Sequence, residues 1–481
     1  MSESTTSSNK TEKKQGRAAF GSKFGVIMAA AGSAVGLGNI WRFPVETGDN
    51  GGAAFILVYI CSVLILGVPL MVAEFMVGRH SHSNTAHAYR SLTKSRFWGN
   101  IGFLGVAASA LIMCYYIVVS GWMVKYLVLS VQTAAAATTG GVGPLSVEGI
   151  SDGQMAQHFT KTFANFSSSV WEPLIYMVVF IGMVHIAIVS GVRRGIEALS
   201  KVLMPALFII LVILVVCSML APGAKAGLEF LFHPDFSKIT GKVVLEAVAQ
   251  SFYSLSLCMG CLCTYASYFN KDVKLINSAI SITTIDTMVA IMAGMIIFPA
   301  VFSSGIDPQS GPSLVFIALP CSFQQAFASI PALGLVMSVL FYALLVLATL
   351  TSAISVEEVT TAYVSEAWHV KRSRAALYVT LFSIVLGAVC SLSMGILGGF
   401  TLGGKNVFDL FDYVTTTLML PVCGILTSLF IGWKIPKSTY YQEITNNNTI
   451  RARGGKLILF LLKWVAPVLL TLAFLNGLEL L

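Results

Sequence analysis

The sequence predicts an all-α membrane protein of eleven transmembrane helices, arranged as a 5+5 inverted repeat in which helices 1 and 6 are discontinuous. Three observations carry this expectation. Of 481 residues, 56% are hydrophobic and only 11% charged, too apolar for a water-facing surface of this size. Apolar runs of the roughly 20 residues that cross about 30 Å of hydrocarbon recur along nearly the whole chain. Two of those runs, the first of each half, are interrupted by glycine and polar residues, and lipid tolerates irregular backbone only around a protein-enclosed cavity.

Residues 1–20 are rich in Ser, Thr and Lys and lack the apolar core of a cleavable signal, which predicts a disordered tail retained on the cytoplasmic side. The first repeat, 21–220, holds spans at 23–45, 53–77, 103–131, 172–190 and 199–220. The second, 244–433, holds spans at 244–268, 275–302, 333–364, 375–397 and 407–433, and residues 456–481 carry an eleventh at 456–480. Cytoplasmic loops concentrate Lys and Arg. With the N-terminus inside, 22 of the 30 cations fall on the inner side, among them Arg79, Arg193, Arg194, Lys371 and Arg451. Only Lys161, Lys225, Lys238, Lys242 and Lys405 fall outside, while Arg42, Lys125 and Lys463 lie within or at the ends of spans. The expected protein is thus a multi-pass component of a cell membrane, surrounded by the lipid bilayer, with its C-terminus extracytoplasmic. Its net charge of +8 reports topology and implies no nucleic-acid partner; oligomeric state is left open.

Cysteine usage implies no disulfide framework, because eight of the nine lie in or at the ends of apolar spans and Cys321 has no evident extracellular partner. Cys258, Cys261 and Cys263 read as core packing, since no His or carboxylate stands near them in sequence to complete a metal site. The chain has no HExxH or P-loop motif, which argues against an enzyme.

The first interruption runs Ala31-Gly32-Ser33-Ala34-Val35-Gly36-Leu37-Gly38-Asn39, followed by Trp41-Arg42-Phe43-Pro44. The second runs from Ser251 through Tyr253, Ser254 and Ser256 to Gly260. Breaking both helices leaves freed N–H groups that suit a carboxylate and freed carbonyls that suit Na⁺. Asp286, flanked by Thr283, Thr284 and Thr287 inside the seventh span, is expensive there unless paired or ion-bound. Thr351 and Ser352 signal more weakly, because hydroxyls often bond their own helix's carbonyls. Glu74, late in the second span, reads as a brace for N–H groups freed by a broken helix.

On these residues the chain resembles the neurotransmitter:sodium symporter family, and in particular its bacterial amino acid transporters, from about residue 17 to about residue 435. The motifs include Gly36-Leu37-Gly38-Asn39 with Arg42-Phe43-Pro44, Asn50-Gly51-Gly52, Gly67-Val68-Pro69, Tyr115-Tyr116, Thr264-Tyr265-Ala266-Ser267-Tyr268 and Gly311-Pro312. The resemblance implies a sodium-coupled importer of a neutral, hydrophobic or aromatic L-amino acid, working by alternating access. It implies two Na⁺ sites. One would use Ala34, Asn39, Ser254, Asp286 and the substrate carboxylate; the other would use Gly32, Val35, Ala348, Thr351 and Ser352. The substrate carboxylate would meet Leu37, Gly38 and Tyr116, and its ammonium Ala34, Tyr253 and Ser254. Its side chain would meet Ile112, Tyr253, Ser256, Met259, Ser352 and Val356. Gly36 stands where monoamine carriers of the family have an aspartate, leaving room for a substrate carboxylate.

Further expectations follow from the same resemblance. Asp286 and Ala290 replace an asparagine and a serine of chloride-dependent relatives, which implies transport without chloride, with Tyr59 and Gln250 left from that pocket. An outer gate would pair Arg42 with Asp412 above Tyr116 and Tyr253, and an inner gate would join Arg17, Glu366, Ser267 and Tyr268. Gly195 and Pro205 would let the fifth span unwind at its cytoplasmic end. Eleven spans and an outer loop at 132–171 without cysteines favour a bacterial inner membrane, which makes Asn165-Phe166-Ser167 a chance glycosylation match. An amino acid sensor or substrate-gated channel on the same scaffold is the alternative.

Overall fold

A computed structural model describes residues 19–146, 152–304, 314–327 and 329–480. Arg17, Gly311 and Pro312 lie outside the described residues, as does nearly all of the expected tail. The first span is two helices, α1 (Lys23–Ala34) and α2 (Gly38–Asp49), bent by 52°. There follow α3 (Ala53–Ser81), α4 (Thr85–Ser91), α5 (Arg96–Thr138), α6 (Asp152–Ser168), α7 (Trp171–Val189) and α8 (Val192–Ser218). After α9 (Ala224–Phe232), α10 (Gly241–Ser254) and α11 (Cys261–Ala266) stand in the place of the sixth span. The rest are α12 (Leu275–Ser304), α13 (Leu319–Ala326), α14 (Pro331–Ala367), α15 (Arg372–Leu392), α16 (Val407–Lys434), α17 (Lys437–Ile444) and α18 (Gly455–Gly477).

Among the described residues nine helices are long and apolar enough to cross a membrane, and α1 with α2 makes a tenth. Neither α10 nor α11 reaches that length, because residues 255–260 between them are not helical. Every expected span has helix in its place. α5 is longer than the 103–131 read from apolarity, since polar turns at both ends continue the same helix. Short helices α4, α6, α9, α13 and α17 occupy stretches expected only as connections, where no long apolar run marks a helix.

Burial sorts the helices into an inner and an outer set. In the apolar stretch of α5, 72% of residues are buried, against 28% in α8 and in α18. α8 turns Ile209 (62% exposed) and Val216 (61% exposed), two turns apart, to the outside as an apolar face. Inside, α5 and α14 pack along one another, α1 lies on α14 and α8, and α11 lies on α3. The last contact is close enough to need glycine: a Cβ on Gly78 would sit 2.0 Å from the Cys263 carbonyl oxygen. The core therefore surrounds the two broken spans.

Candidate functional site

The first break begins where α1 ends. Val35 turns extended (φ −70°, ψ 110°), its N–H still reaching the Ala31 carbonyl at 2.7 Å. Lipid-buried backbone must be paired, and side chains do the pairing here. The Gly36 N–H donates to Asn39 Oδ1 at 3.0 Å, and Gln250 Nε2 donates to the Gly38 carbonyl at 2.8 Å. Ser256 Oγ (2.9 Å) and Ser352 Oγ (3.3 Å) both donate to the Ser33 carbonyl, tying this break to the other one and to α14.

The second break turns through left-handed backbone at Ser256 (φ 52°), Cys258 (φ 61°) and Gly260 (φ 85°). Two of these are not glycine, a conformation that costs roughly 1–3 kcal/mol each and persists only where the surroundings over-determine it. They do. Glu74 Oε2 accepts from the Cys258 N–H at 3.1 Å, and the Gly260 N–H faces the same carboxylate. Thr85 Oγ1 donates to the Gly260 carbonyl at 3.0 Å, and Ser109 Oγ to that of Met259. Glu74 thus has the bracing position read from the sequence.

Between the breaks is a small cavity with about 30 Å³ of room, enough for a water or two. It is lined by Ala34, Leu37 and Gly38 at the first break, Ile112 and Tyr116 from α5, Ser352 and Val356 from α14, and Tyr253, Ser254, Ser256 and Met259 from the second break and its approach. All eleven expected substrate residues are therefore neighbours in space. Gly36 joins them, and a Cβ there would lie 3.2 Å from both Ser352 Oγ and the Tyr116 hydroxyl. That hydroxyl is buried and makes no hydrogen bond among the described residues.

Beside the cavity a polar cluster closes on Asp286. Asn39 Nδ2 donates to its Oδ1 at 2.7 Å, Ser254 Oγ to its Oδ2 at 3.0 Å, and the Tyr59 hydroxyl to Oδ2 at 3.2 Å. Asn39 Nδ2 also reaches Ser254 Oγ at 2.9 Å. The amide oxygen of Asn39 faces the Gly36 N–H, so the amide nitrogen is the end turned to the carboxylate. The second expected set meets where α1 crosses α14. Thr351 Oγ1 donates to the Ala348 carbonyl at 3.0 Å, and a Cβ on Gly32 would come within 3.2 Å of Thr351 Cβ. No cluster of three or more His, Cys, Asp or Glu among the described residues is arranged as a metal site, and the eight cysteines outside α13 are free.

The model of the sodium:neurotransmitter symporter family matches residues 17–142 and 146–480, nearly the whole chain. The chain belongs to this family. Its relatives include the sodium-dependent transporter YhdH of Bacillus subtilis, 35% identical over 95% of this chain and 97% of the relative. A Haemophilus influenzae sodium-dependent transporter is 30% identical over 97% of this chain and 99% of its own. The human sodium- and chloride-dependent GABA transporter 2 is 27% identical over 96% of this chain and 80% of its own. Among solved structures, MhsT in complex with L-phenylalanine matches with a TM-score of 0.84 at 38% identity, covering 96% of this chain and all of that one. The family is one of sodium-dependent membrane transporters, not of enzymes.

The gate residues of this symporter are placed less simply than the cavity. Arg42 forms its ion pair with Glu46 (3.3 Å), one turn on, rather than with Asp412, and its guanidinium lies 4.6 Å from the centre of the Tyr253 ring. Asp412 lies beside Tyr115. On the other side, Glu366 accepts from the N–H and Nδ2 of Asn84 at 2.9 and 2.8 Å. The Tyr268 hydroxyl donates to Glu358 at 2.6 Å, and Arg372 grips that same carboxylate with two nitrogens at 2.7 and 2.5 Å. Ser267 Oγ donates to the Thr264 carbonyl. Glu46, Asn84, Glu358 and Arg372 were missed in the sequence. Glu46 four residues after Arg42, and Glu357-Glu358 inside an apolar span, were the signals available.

Proposed function

We propose that this symporter imports a neutral, hydrophobic or aromatic L-amino acid together with Na⁺, without chloride, by alternating access. The observation that carries the reading is the cavity at Gly36: the ends of two broken helices, a buried hydroxyl at Tyr116, and the Asp286 cluster alongside. The substrate carboxylate takes the N–H groups of Leu37 and Gly38 with Tyr116, and the ammonium takes the carbonyls of Ala34, Tyr253 and Ser254. Ile112, Ser256, Met259, Ser352 and Val356 surround the side chain. MhsT was solved with L-phenylalanine, which supports an aromatic or apolar side chain.

One Na⁺ sits among Ala34, Asn39, Ser254, Asp286 and the substrate carboxylate; a second sits among Gly32, Val35, Ala348, Thr351 and Ser352. Sharing a ligand makes the coupling reciprocal, since anion and cation raise each other's affinity in a low dielectric. The Asp286 carboxylate already engages Tyr59, Ser254 and Asn39, so a fixed negative charge stands where chloride-dependent relatives need an anion. The chain crosses the membrane eleven times, with α10 and α11 forming one broken span, in two repeats (21–220 and 244–433) and a last helix. Its N-terminus is cytoplasmic, its C-terminus extracytoplasmic, and a bacterial inner membrane is its setting. Arg42 and Asp412 close the outer path, Arg17, Glu366, Ser267 and Tyr268 the inner one, and unwinding between Gly195 and Pro205 admits water to the second Na⁺.

The test is uptake of labelled phenylalanine, leucine and tryptophan into proteoliposomes. Accumulation driven by a Na⁺ gradient and unchanged when gluconate replaces chloride is expected. Uptake lost with chloride removes the anion claim, and binding without accumulation makes the protein a sensor.

A further inference from the structure

A second cavity shares no lining residue with the one between the breaks. It holds about 500 Å³ at the start of α12, between that helix and the segment leading into α18. Its walls are of two kinds. Lys274, Arg451 and Arg453 are exposed and have no ion-pair partner among the described residues. The nearby acids are engaged elsewhere: Asp272 pairs with Lys23 at 3.1 Å, and Glu443 with Arg79 and His80 at 3.3 and 2.9 Å. Three cations therefore face one cleft uncompensated. The other wall is apolar, with Ile444 and Ile450, and with Ile280 (48% exposed) at the mouth. From Ile280 an outward stripe continues along α12 through Thr284 to Met288 (52% exposed), each one turn beyond the last.

Positive charge at one end of an outward-facing apolar track matches one chemistry, a phosphate carrying an acyl chain. We propose that the cleft binds an anionic glycerophospholipid, its phosphate among Lys274, Arg451 and Arg453 and one acyl chain along Ile280, Thr284 and Met288. The leaflet is the one on the N-terminal side, which rests on the orientation proposed above. The cleft is held in shape: Arg79 donates to the carbonyl and carboxylate of Glu443, next to Ile444, and the Tyr440 hydroxyl donates to the Gly455 carbonyl at 3.1 Å. A lipid here clamps the chain before α18 to the helix that carries Asp286, on the face opposite that buried carboxylate.

Binding of short-chain phosphatidylglycerol, phosphatidylcholine and inorganic phosphate to the purified full chain, in an uncharged detergent, tests this. Phosphatidylglycerol is expected to bind in clear preference to the other two. Lys274→Ala with Arg451→Ala and Arg453→Ala should weaken it about fivefold per cation removed, on the order of 100-fold in all. Removing Lys94, Arg96 and Lys371 instead, three cations outside the cleft, should change it less than twofold. Ile280→Trp keeps the cations but fills the mouth, and should weaken phosphatidylglycerol without moving phosphate. Equal binding of phosphatidylcholine, unaltered binding by the triple variant, or phosphate competing as strongly as the lipid overturns the proposal. The isotherms are read in detergent without a gradient, so they stand or fall apart from amino acid transport and from membrane orientation.

Discussion

The proposed ion dependence turns on one side chain, Asp286. Three neutral donors converge on it and, among the described residues, no cation does, which leaves a net negative charge poised beside the cavity. Asp286→Asn removes that charge while keeping the shape. In wild-type protein, Na⁺ removal should weaken amino acid binding about 5–150-fold; in the variant the factor should shrink toward the lower end, measured by scintillation binding with and without Na⁺. A factor unchanged by the variant would detach Asp286 from the coupling. The adjacent pair Glu357 and Glu358 makes a second contrast. Both are fully buried, but Glu358 holds Arg372 in a two-nitrogen grip, whereas Glu357 accepts from Thr380 Oγ1 at 3.0 Å and has no cation partner among the described residues. Glu358→Gln breaks an ion pair and should destabilise the fold by about 3 kcal/mol. Glu357→Gln changes a group that already lacks a cation and should cost less than about 1 kcal/mol. Thermal unfolding of the two variants in detergent checks the order.

At the scale of elements, the broken spans are held by side chains from continuous ones. Glu74 on α3 receives the Cys258 N–H, so the kink between α10 and α11 is set partly by a residue about 180 positions away in sequence. Glu74→Ala leaves amides unpaired in a dry interior, at about 1–3 kcal/mol for each, and should lower the unfolding temperature and the yield of folded protein together. Glu74→Gln retains one acceptor and should recover part of the loss. How much of this was legible differs between residues. The glycines at 36 and 38 and the polar run from Ser251 announce a break, because lipid forbids such sequences in a plain helix. Glu74 was legible as a brace for the same reason. The turn of the Asn39 amide was not, since both ends of an amide look alike in sequence and only its neighbours choose between them. Nor was the partner of Arg42: an aspartate in a distant helix and a glutamate one turn away compete for it, and the nearer one has it.

For the whole molecule, the outline was legible because a bilayer imposes one length and one polarity on everything that crosses it. Helices α3, α5, α7, α8, α12, α14, α15, α16 and α18 stand where apolar runs stand. The pieces that escaped, α6, α9 and α13 among them, lie in connections where neither length nor apolarity constrains the sequence. The second break departs from the usual link between irregular backbone and looseness. Residues 255–260 have no helix or strand, yet their main chain is tied by Glu74, Thr85 and Ser109 and screened from solvent on all sides. In hydrogen–deuterium exchange, where unstructured stretches ordinarily label within seconds, the Cys258 and Gly260 amides should behave like the deepest helices and label only when large parts of the protein open. Rapid labelling there, in a protein that otherwise remains protected, would mean that this hinge opens without the helices around it.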